Sequence, residues 1–243
     1  MSSCIFKIRA FKAMDDPKAC EKYIEGHLRI LRLFGLSMIT SADPEWLADP
    51  DTYVIIVESG DGNKLYGGGR IQVASGKLSL PIETAIGDKE PSIRRIIEAY
   101  AENGTGEICG LWNSREMAVN GIGSLHLGRA IVAVAGQLSL NSLFALCAPA
   151  TVRNCNLVGY ETARFIGDNG RLYYPKDYLL ATAMVINDLQ NLPAASPGER
   201  RFIQELRNKP VQRKLEPGLK GSVLDMRYDL AIDNPIPAAY CLA

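Results

Sequence analysis

Histidine and closely spaced cysteines, the residues that most often hold a structural metal, are scarce in this chain of 243 residues. The two histidines, His27 and His126, do not stand near a cysteine or a carboxylate at a spacing typical of zinc ligands. The six cysteines are scattered without a Cys-x-x-Cys pair, so we interpret them as buried reduced thiols. The sequence therefore predicts no metal site.

Long runs of one chemical character are also missing. Lys plus Arg and Asp plus Glu both number 27, and no segment carries a long run of one sign, which argues against nucleic acid as a main partner. No segment approaches the roughly 20 apolar residues of a membrane span. The first ten residues interleave charged and apolar side chains, unlike a signal peptide. We expect a cytoplasmic protein with no membrane span.

Two common catalytic motifs are absent as well. No serine stands in a Gly-x-Ser-x-Gly elbow, which disfavours a serine hydrolase. The glycine run at 67–69 is not followed by Gly-Lys-Ser/Thr, so it is no phosphate-binding P-loop. We interpret this run as a strand that another part of the chain approaches closely, or as a bulge.

Hydrophobic periodicity predicts an α/β chain that is long enough for one generous domain with an appendage. Strands are predicted at 5–11, 52–58, 65–74, 106–113, 142–147, 164–166 and 178–186. Helices are predicted at 17–34, 91–100, 121–138 and 149–158. We assign residues 1–191 to the main domain and 192–243 to a C-terminal extension that packs on it, with a helix at 199–207 and a strand at 222–230.

One segment suggests chemistry. The strand at 106–113 runs through a short loop into Gly121-Ile122-Gly123 at the start of a long helix. Backbone N–H groups at a helix start are free to bind anions, and glycine leaves room for a phosphate group to approach. Tight turns from strand to helix also use glycine, so a purely structural interpretation stays open.

The element order and this segment resemble the GNAT superfamily of N-acyltransferases over roughly residues 5–186. The donor loop of that family reads Gln/Arg-x-x-Gly-x-Gly/Ala before a long helix, and the Gln/Arg position falls on Ala118 here. The resemblance implies a mixed, mostly antiparallel central sheet flanked by helices (an α+β arrangement), with acyl-CoA or acetyl-CoA as the acyl donor. The long stretch between 69–70 and Glu107 is similar to the autoinducer-synthase and N-acyl amino acid synthase-like branch, whose members also use acyl carrier protein.

The resemblance also implies which residues bind the donor. The splayed end of the strand, whose backbone would pair with pantetheine, falls on Leu111, Trp112 and Asn113. The N–H groups that would bind the pyrophosphate belong to Val119, Asn120, Gly121, Ile122, Gly123 and Ser124. Trp112 would line the donor channel or belong to the core. We interpret His126 as a surface or helix-packing residue. Arg70 and Arg115 would contact phosphate or an acidic carrier, or are solvated charges.

Two residues fall at catalytic positions of the family. Glu107 stands where some members carry a general base, although a glutamate there is equally explained as a solvated charge or the partner of an arginine. Cys155 takes the place of a tyrosine that serves as general acid, and it is alternatively a buried helix residue. Tyr160, Tyr173 and Tyr174 are further candidates for the proton donor.

We therefore predict an N-acyltransferase that moves an acyl group from acyl-CoA or acyl carrier protein to the amine of a small molecule. The replacements at Ala118 and Cys155 support a second hypothesis, in which a catalytically degenerate GNAT-like protein binds a ligand or partner. A third is an autoinducer-type synthase whose acceptor is similar to S-adenosylmethionine.

Overall fold

A computed structural model describes residues 4–36, 39–119 and 122–233 of the chain. Its ten strands are β1 (Cys4–Lys12), β2 (Thr52–Ser59), β3 (Leu65–Val73), β4 (Gly106–Asn113), β5 (Leu143–Cys147), β6 (Glu161–Thr162), β7 (Arg171–Tyr173), β8 (Leu180–Ile186), β9 (Val211–Pro217) and β10 (Val223–Asp229). Its α-helices are α1 (Pro17–Leu33), α2 (Pro81–Ile86), α3 (Ile93–Ala101), α4 (Arg115–Val119), α5 (Ser124–Ala135), α6 (Pro149–Leu157) and α7 (Pro197–Asn208).

All ten strands join one sheet in the order β6-β8-β5-β4-β3-β2-β1-β10-β9, and β7 also pairs with β8. Neighbouring strands run antiparallel except β4 with β5 and β1 with β10, which run parallel. Helices cover both faces. The structure thus confirms the predicted α/β fold with a mixed, mostly antiparallel central sheet.

Local signals in the sequence explain where the first elements begin. In β1 the side chains of Phe6, Ile8 and Ala10 alternate into the core, as a period of two requires. Helix α1 follows Asp16, whose carboxylate accepts the Ala19 N–H at 3.0 Å and so satisfies a helix-end donor. A short 3₁₀ turn connects the two, so the chain passes from sheet to helix within four residues.

The core has two sides. Helix α5 lies on one face of the sheet, where Leu127 and Ile131 are fully buried with Ile8 and Ile55 from the central strands. On the other face, α1 packs through Tyr23 while α2 and α3 cover the end of the sheet around β5 and β8. The sheet is therefore shielded on both faces where β4 and β5 meet, which is where the candidate site lies.

The C-terminal segment continues the same sheet. Helix α7 packs against α5, and β10 pairs in parallel with β1. The predicted helix at 199–207 and strand at 222–230 are confirmed as α7 and β10. Strand β9 was not predicted, because its alternating residues Val211, Arg213 and Leu215 are solvent-exposed on an edge strand. The division of the chain at residue 191 stays a prediction.

One predicted strand is wrong. Residues 164–166 lie in a turn in which the Gly170 N–H donates to the Ile166 carbonyl at 2.8 Å and Asn169 has φ of 52°. This turn separates β6 from β7, and these two short strands, not residues 164–166, pair with β8. The long helix predicted from 121 is seen from Ser124, and Gly121 lies outside the described residues.

Candidate active site

The two central parallel strands diverge towards their C-terminal ends. Among the described residues, β4 and β5 pair only at Glu107 with Phe144 and Ile108 with Ala145. Beyond that point β4 stays paired with β3 as far as Asn113, whereas β5 stays paired with β8. A wedge therefore opens between the two strands beyond their last shared pair.

A bulge in β4 accompanies this divergence. The register with β3 shifts between Gly68 and Arg70, and Gly110 on the opposite strand has φ of 61°. The Tyr23 hydroxyl from α1 donates to the Gly110 carbonyl at 2.7 Å. A Cβ at Gly110 would lie 2.2 Å from that hydroxyl oxygen, so both the conformation and the close approach require glycine.

The glycine run in β3 serves the same close packing. A Cβ at Gly68 would lie 2.8 Å from the Tyr23 ring, and one at Gly69 would lie 2.9 Å from Ile131 of α5. The predicted close approach at 67–69 is therefore confirmed, with a helix pressed on each side of the strand.

Glu107 lies at the base of the wedge with its side chain buried. The Ile82 N–H at the start of α2 donates to its Oε2 at 2.7 Å. Burial raises the pKa of Glu107 to about 8, an effect that the Ile82 N–H and the Arg70 charge oppose. Because the side chain is only 2% exposed, the solvated-charge interpretation of Glu107 is wrong. A carboxyl group with a pKa near neutrality can both hold and accept a proton at physiological pH.

Arg70 is buried beside Glu107, so its interpretation as a solvated charge is wrong too. Its Nη1 donates to the Ser41 carbonyl at 2.5 Å, and its guanidinium lies 4.7 Å from the centre of the Trp46 ring. Within the described chain, Arg70 Nε has no hydrogen-bond partner. Burial and the Arg70 charge lower the pKa of His27 to about 4. The wedge therefore has a cationic wall on the side of α1.

Cys155 approaches the wedge from the opposite face of the sheet. Its sulfur lies 3.4 Å from that of Cys147, the last residue of β5. The hydrogen bond with Cys147 lowers the pKa of Cys155, whereas the same contact and burial raise the pKa of Cys147. Cys155 is the less buried of the two thiols. It is thus partly exposed and packed against the core, and its role as a general acid stays a prediction.

Of the three candidate tyrosines, Tyr160 lies next to Cys155. Its N–H donates to the Cys155 carbonyl at 3.0 Å, and its buried hydroxyl has no hydrogen-bond partner in the described part of the chain. Burial, and then the charges of Cys155, Cys147 and Glu107, raise the pKa of Tyr160 well above its usual range. The Tyr174 hydroxyl instead forms a hydrogen bond of 2.9 Å with the Thr40 hydroxyl. Tyr173 is exposed.

The predicted donor loop is described in part. Asn120 and Gly121 lie outside the described residues, as does the side chain of Val119. The Ile122 N–H donates to the Met117 carbonyl at 3.0 Å, and the Gly123 N–H donates to His126 Nδ1 at 3.3 Å. These amides thus have acceptors within the protein.

The other predicted donor residues surround this loop. With its amide oriented to satisfy both groups, Asn113 accepts the Ser124 N–H at 3.1 Å and donates to the Trp112 carbonyl at 3.1 Å. Ser124 Oγ also accepts from Asn154 of α6 at 2.6 Å. Leu111 packs on the α5 side of the sheet, while the Trp112 ring is buried against α1 at Gly26. The structure therefore brings the start of α5, the end of β4 and helix α6 together.

An ionic network braces the start of α5 from the C-terminal segment. Glu216 of β9 accepts from Arg129 at 3.2 Å and from the Tyr228 hydroxyl at 2.7 Å, and its Oε2 lies 3.5 Å from His126 Nε2. Arg129 also pairs with Glu199 of α7. His126 is half-buried in this contact, which supports its interpretation as a helix-packing residue.

Within the described residues, no group of three or more His, Cys, Asp or Glu side chains is placed to hold a metal ion. No helix in the same residues is long and apolar enough to cross a membrane.

Comparison with solved structures identifies the fold. FeeM, an N-acyl amino acid synthase from uncultured soil microbes, superposes with a TM-score of 0.56 at 16% identity, covering 81% of this chain and 97% of FeeM. BjaI, a CoA-dependent acyl-homoserine lactone synthase solved with MTA, gives 0.50 at 14% identity and covers 97% of each chain. The AHL synthase LasI gives 0.50 at 15% identity, covering 79% of this chain and 92% of LasI.

At the level of sequence, neither a protein-family profile nor a curated protein matches. The likeness therefore rests on three-dimensional structure. These observations confirm the resemblance predicted from the sequence: the chain has a GNAT-like fold of the kind seen in autoinducer synthases and an N-acyl amino acid synthase.

Proposed function

We propose that this protein transfers an acyl group from a thioester donor, acyl-CoA or acyl carrier protein, to the amine of a small molecule. The observation that carries the proposal is the wedge between β4 and β5, with the buried Glu107 on one side and Cys155 on the other. The enzymes with similar structures are named as N-acyl amino acid and acyl-homoserine lactone synthases, which supports the same class of reaction.

Each chemical requirement of aminolysis has a candidate in this arrangement. The attacking amine must be neutral, and Glu107 in its ionised form accepts a proton from it directly or through water. The departing thiolate needs a proton, for which the thiol of Cys155 and the hydroxyl of Tyr160 are the available donors. The facing edges of β4 and β5, which no longer pair with each other beyond Ile108 and Ala145, are suited to hold the thioester and its developing oxyanion.

We further propose that the acyl donor lies along Leu111, Trp112 and Asn113 with its phosphates at the start of α5. Binding there replaces the intramolecular acceptors of the loop, His126 for Gly123 and Asn113 for Ser124. The positive end of α5 favours the negative phosphates, which supports this exchange. The buried guanidinium of Arg70 places a positive charge beside Glu107, which would suit an amine substrate that carries a negative group.

Amide formation tests the proposal. The purified protein is incubated with acyl-CoA donors of short, medium and long chain and a panel of amino acids and other primary amines, and products are detected by mass spectrometry. We expect wild type to form an amide product, and Glu107→Gln to form it at least about a hundredfold more slowly. The Gln side chain keeps an acceptor for the Ile82 N–H but cannot take a proton. No product with any CoA or carrier-protein donor would overturn the proposal.

A second candidate function is binding without catalysis. The acceptors that already occupy the Gly123 and Ser124 amides, together with Ala118 in the family's Gln/Arg position, favour it. Saturable binding of acyl-CoA without release of free CoA, in the presence of every amine tested, would support this alternative over transfer.

A further inference from the structure

A pair of thiols lies beside the wedge, and nothing in the proposed reaction requires two. Cys147 is the last residue of β5, and Cys155 is in the second turn of α6. Pro149 begins α6 directly after the strand, so the chain reverses within a few residues and brings the two sulfurs to 3.4 Å. None of the four cysteines whose side chains are described forms a disulfide.

We propose that Cys147 and Cys155 are a site of reversible oxidation, at which a hydroperoxide joins the two sulfurs in a disulfide. The sulfur–sulfur separation must shorten from 3.4 Å to about 2 Å, a change of about 1.4 Å that side-chain rotation at the partly exposed Cys155 can supply. Neither Cys20 nor Cys109, the other two described thiols, has a second described sulfur as its contact.

The chemistry assigns a different part to each thiol. The Cys155 thiolate attacks one oxygen of the hydroperoxide, which breaks the O–O bond, releases water or an alcohol and leaves a sulfenic acid on Cys155. The Cys147 sulfur then displaces the hydroxyl group of that sulfenic acid as water. Two thiols lose two electrons and two protons in total, and the hydroperoxide is reduced by two electrons.

The surroundings select Cys155 as the thiol that reacts first. The hydrogen bond with Cys147 lowers the pKa of Cys155 and so favours its thiolate. Burial raises the pKa of Cys20 and of Cys109 to about 12, which keeps both as inert thiols. The pair therefore combines an attacking sulfur that is partly exposed with a resolving sulfur already in contact.

The effect of the disulfide on acyl transfer rests on the proposed function. Oxidation removes the Cys155 S–H that is one of the two donors available to the departing thiolate. It also ties α6 to the end of β5, and α6 supports the start of α5 through the bond between Asn154 and Ser124. We expect the oxidised protein to lose at least tenfold in acyl-transfer rate and to regain it with dithiothreitol.

Peptide mapping tests the disulfide without reference to activity. Trypsin cleaves after Arg153, so Cys147 lies in the peptide 130–153 and Cys155 in the peptide 154–164. Full-length protein is treated with hydrogen peroxide, blocked with N-ethylmaleimide and digested without reductant. We expect a single species with the summed mass of both peptides less two hydrogens, which separates when dithiothreitol is added.

Controls separate the possible outcomes. We expect Cys155→Ser to remove the linked species and Cys109→Ser to leave it unchanged. Because the linked peptides are first mapped in wild type, a variant that misfolds does not affect the test. Two separate peptides after oxidation, each carrying N-ethylmaleimide or higher oxides, would overturn the proposal. A linked protein with an unchanged rate would overturn its effect on transfer alone, and a reduced protein with no turnover would instead count against the proposed function.

Discussion

The Nε2 atom of His126 lies 3.5 Å from the carboxylate of Glu216, which joins the start of α5 to a strand made more than eighty residues later. The other ring nitrogen of His126 accepts the Gly123 N–H. The Gly123 end of the predicted phosphate loop is therefore supported by the C-terminal segment, and not only by helix α5.

Removing the carboxylate of this contact should destabilise the protein. In Glu216→Ala the half-buried Arg129 guanidinium keeps only Glu199, and the Tyr228 hydroxyl loses its acceptor. We expect the free energy of unfolding to fall by about 3 kcal/mol, as when one partner of a buried ion pair is removed. Urea denaturation at pH 7 measures the change. Glu205→Ala is the matched control, since the 59% exposed Glu205 side chain pairs with Lys214 at the surface and its loss should leave the midpoint unaltered.

The raised pKa of Glu107 should appear in the pH dependence of stability. The folded protein holds this proton up to a pKa of about 8, whereas an unfolded glutamate releases it near 4.5, so folding takes up a proton between these values. The stabilisation is complete below the unfolded pKa and is lost as the pH rises to about 8. His27, with its pKa lowered to about 4 from 6.5, gives the opposite slope but only below pH 6.5.

The window from pH 6.5 to 8 therefore isolates Glu107 from His27. There the free energy of unfolding of wild type should fall relative to that of Glu107→Gln, by at most about 1.4 kcal/mol per pH unit. Denaturant titrations of both proteins at four pH values measure the difference. Parallel curves over this window would show that the carboxyl group titrates normally.

A charge at the start of α5 should weaken donor binding if the phosphates lie there. A Cβ at Gly123 meets no described atom within 4 Å, so substitution there is sterically open. Gly123→Glu and Gly123→Gln have the same shape and differ in charge, and we expect the Glu variant to bind CoA about tenfold more weakly at low salt. Isothermal titration calorimetry measures both affinities. Equal affinities for the two variants would place the phosphates elsewhere.

The conformation of Gly110 should be costly to replace. In Gly110→Ala the new methyl group clashes with the Tyr23 hydroxyl, and the alanine must adopt an unfavourable positive φ. We therefore expect a loss of roughly 3 kcal/mol in stability. Gly62→Ala is the control for φ alone, because Gly62 has φ of 73° and its Cβ would have no described neighbour within 4 Å. Denaturation of both variants should show a loss at least twice as large for Gly110→Ala.

Combining the Gly110 change with Tyr23→Phe separates the two contributions. Without the hydroxyl the clash is relieved, so the double variant should be more stable than the sum of the single losses implies. Additive losses would mean that the hydroxyl does not press on Gly110.

Strand β4 shows how far a local pattern reaches. Its predicted bounds, 106–113, are those of the structure, because a short apolar run between turns is decided locally. Glu107 was also predicted as a site residue, but its contact with the Ile82 N–H of α2 was not. The six residues of that helix are too few to show a helical period.

The burial of Arg70 was not predicted, since no neighbour in sequence determines it. The groups that surround it, among them Tyr23, Ser41 and Trp46, come from an earlier helix and loop. The one signal in the sequence was a lone charge in a strand of glycine and apolar residues. The contact between Cys147 and Cys155 was missed for a similar reason, because it depends on how sharply β5 turns into α6.

The parallel pairing of β1 with β10 affects how the chain folds as it is made. Cys4 pairs with Leu224, so the outer edge of the first strand has no partner until the end of the described chain has been synthesised. A nascent chain that ends before β10 exposes the N–H and C=O groups of β1 to any other extended segment. Pairing of such distant segments is slow, because a very long loop must close first. On the ribosome, the outer edge of β1 therefore stays unprotected until β10 emerges, and the aggregation hazard of this fold lies at that edge.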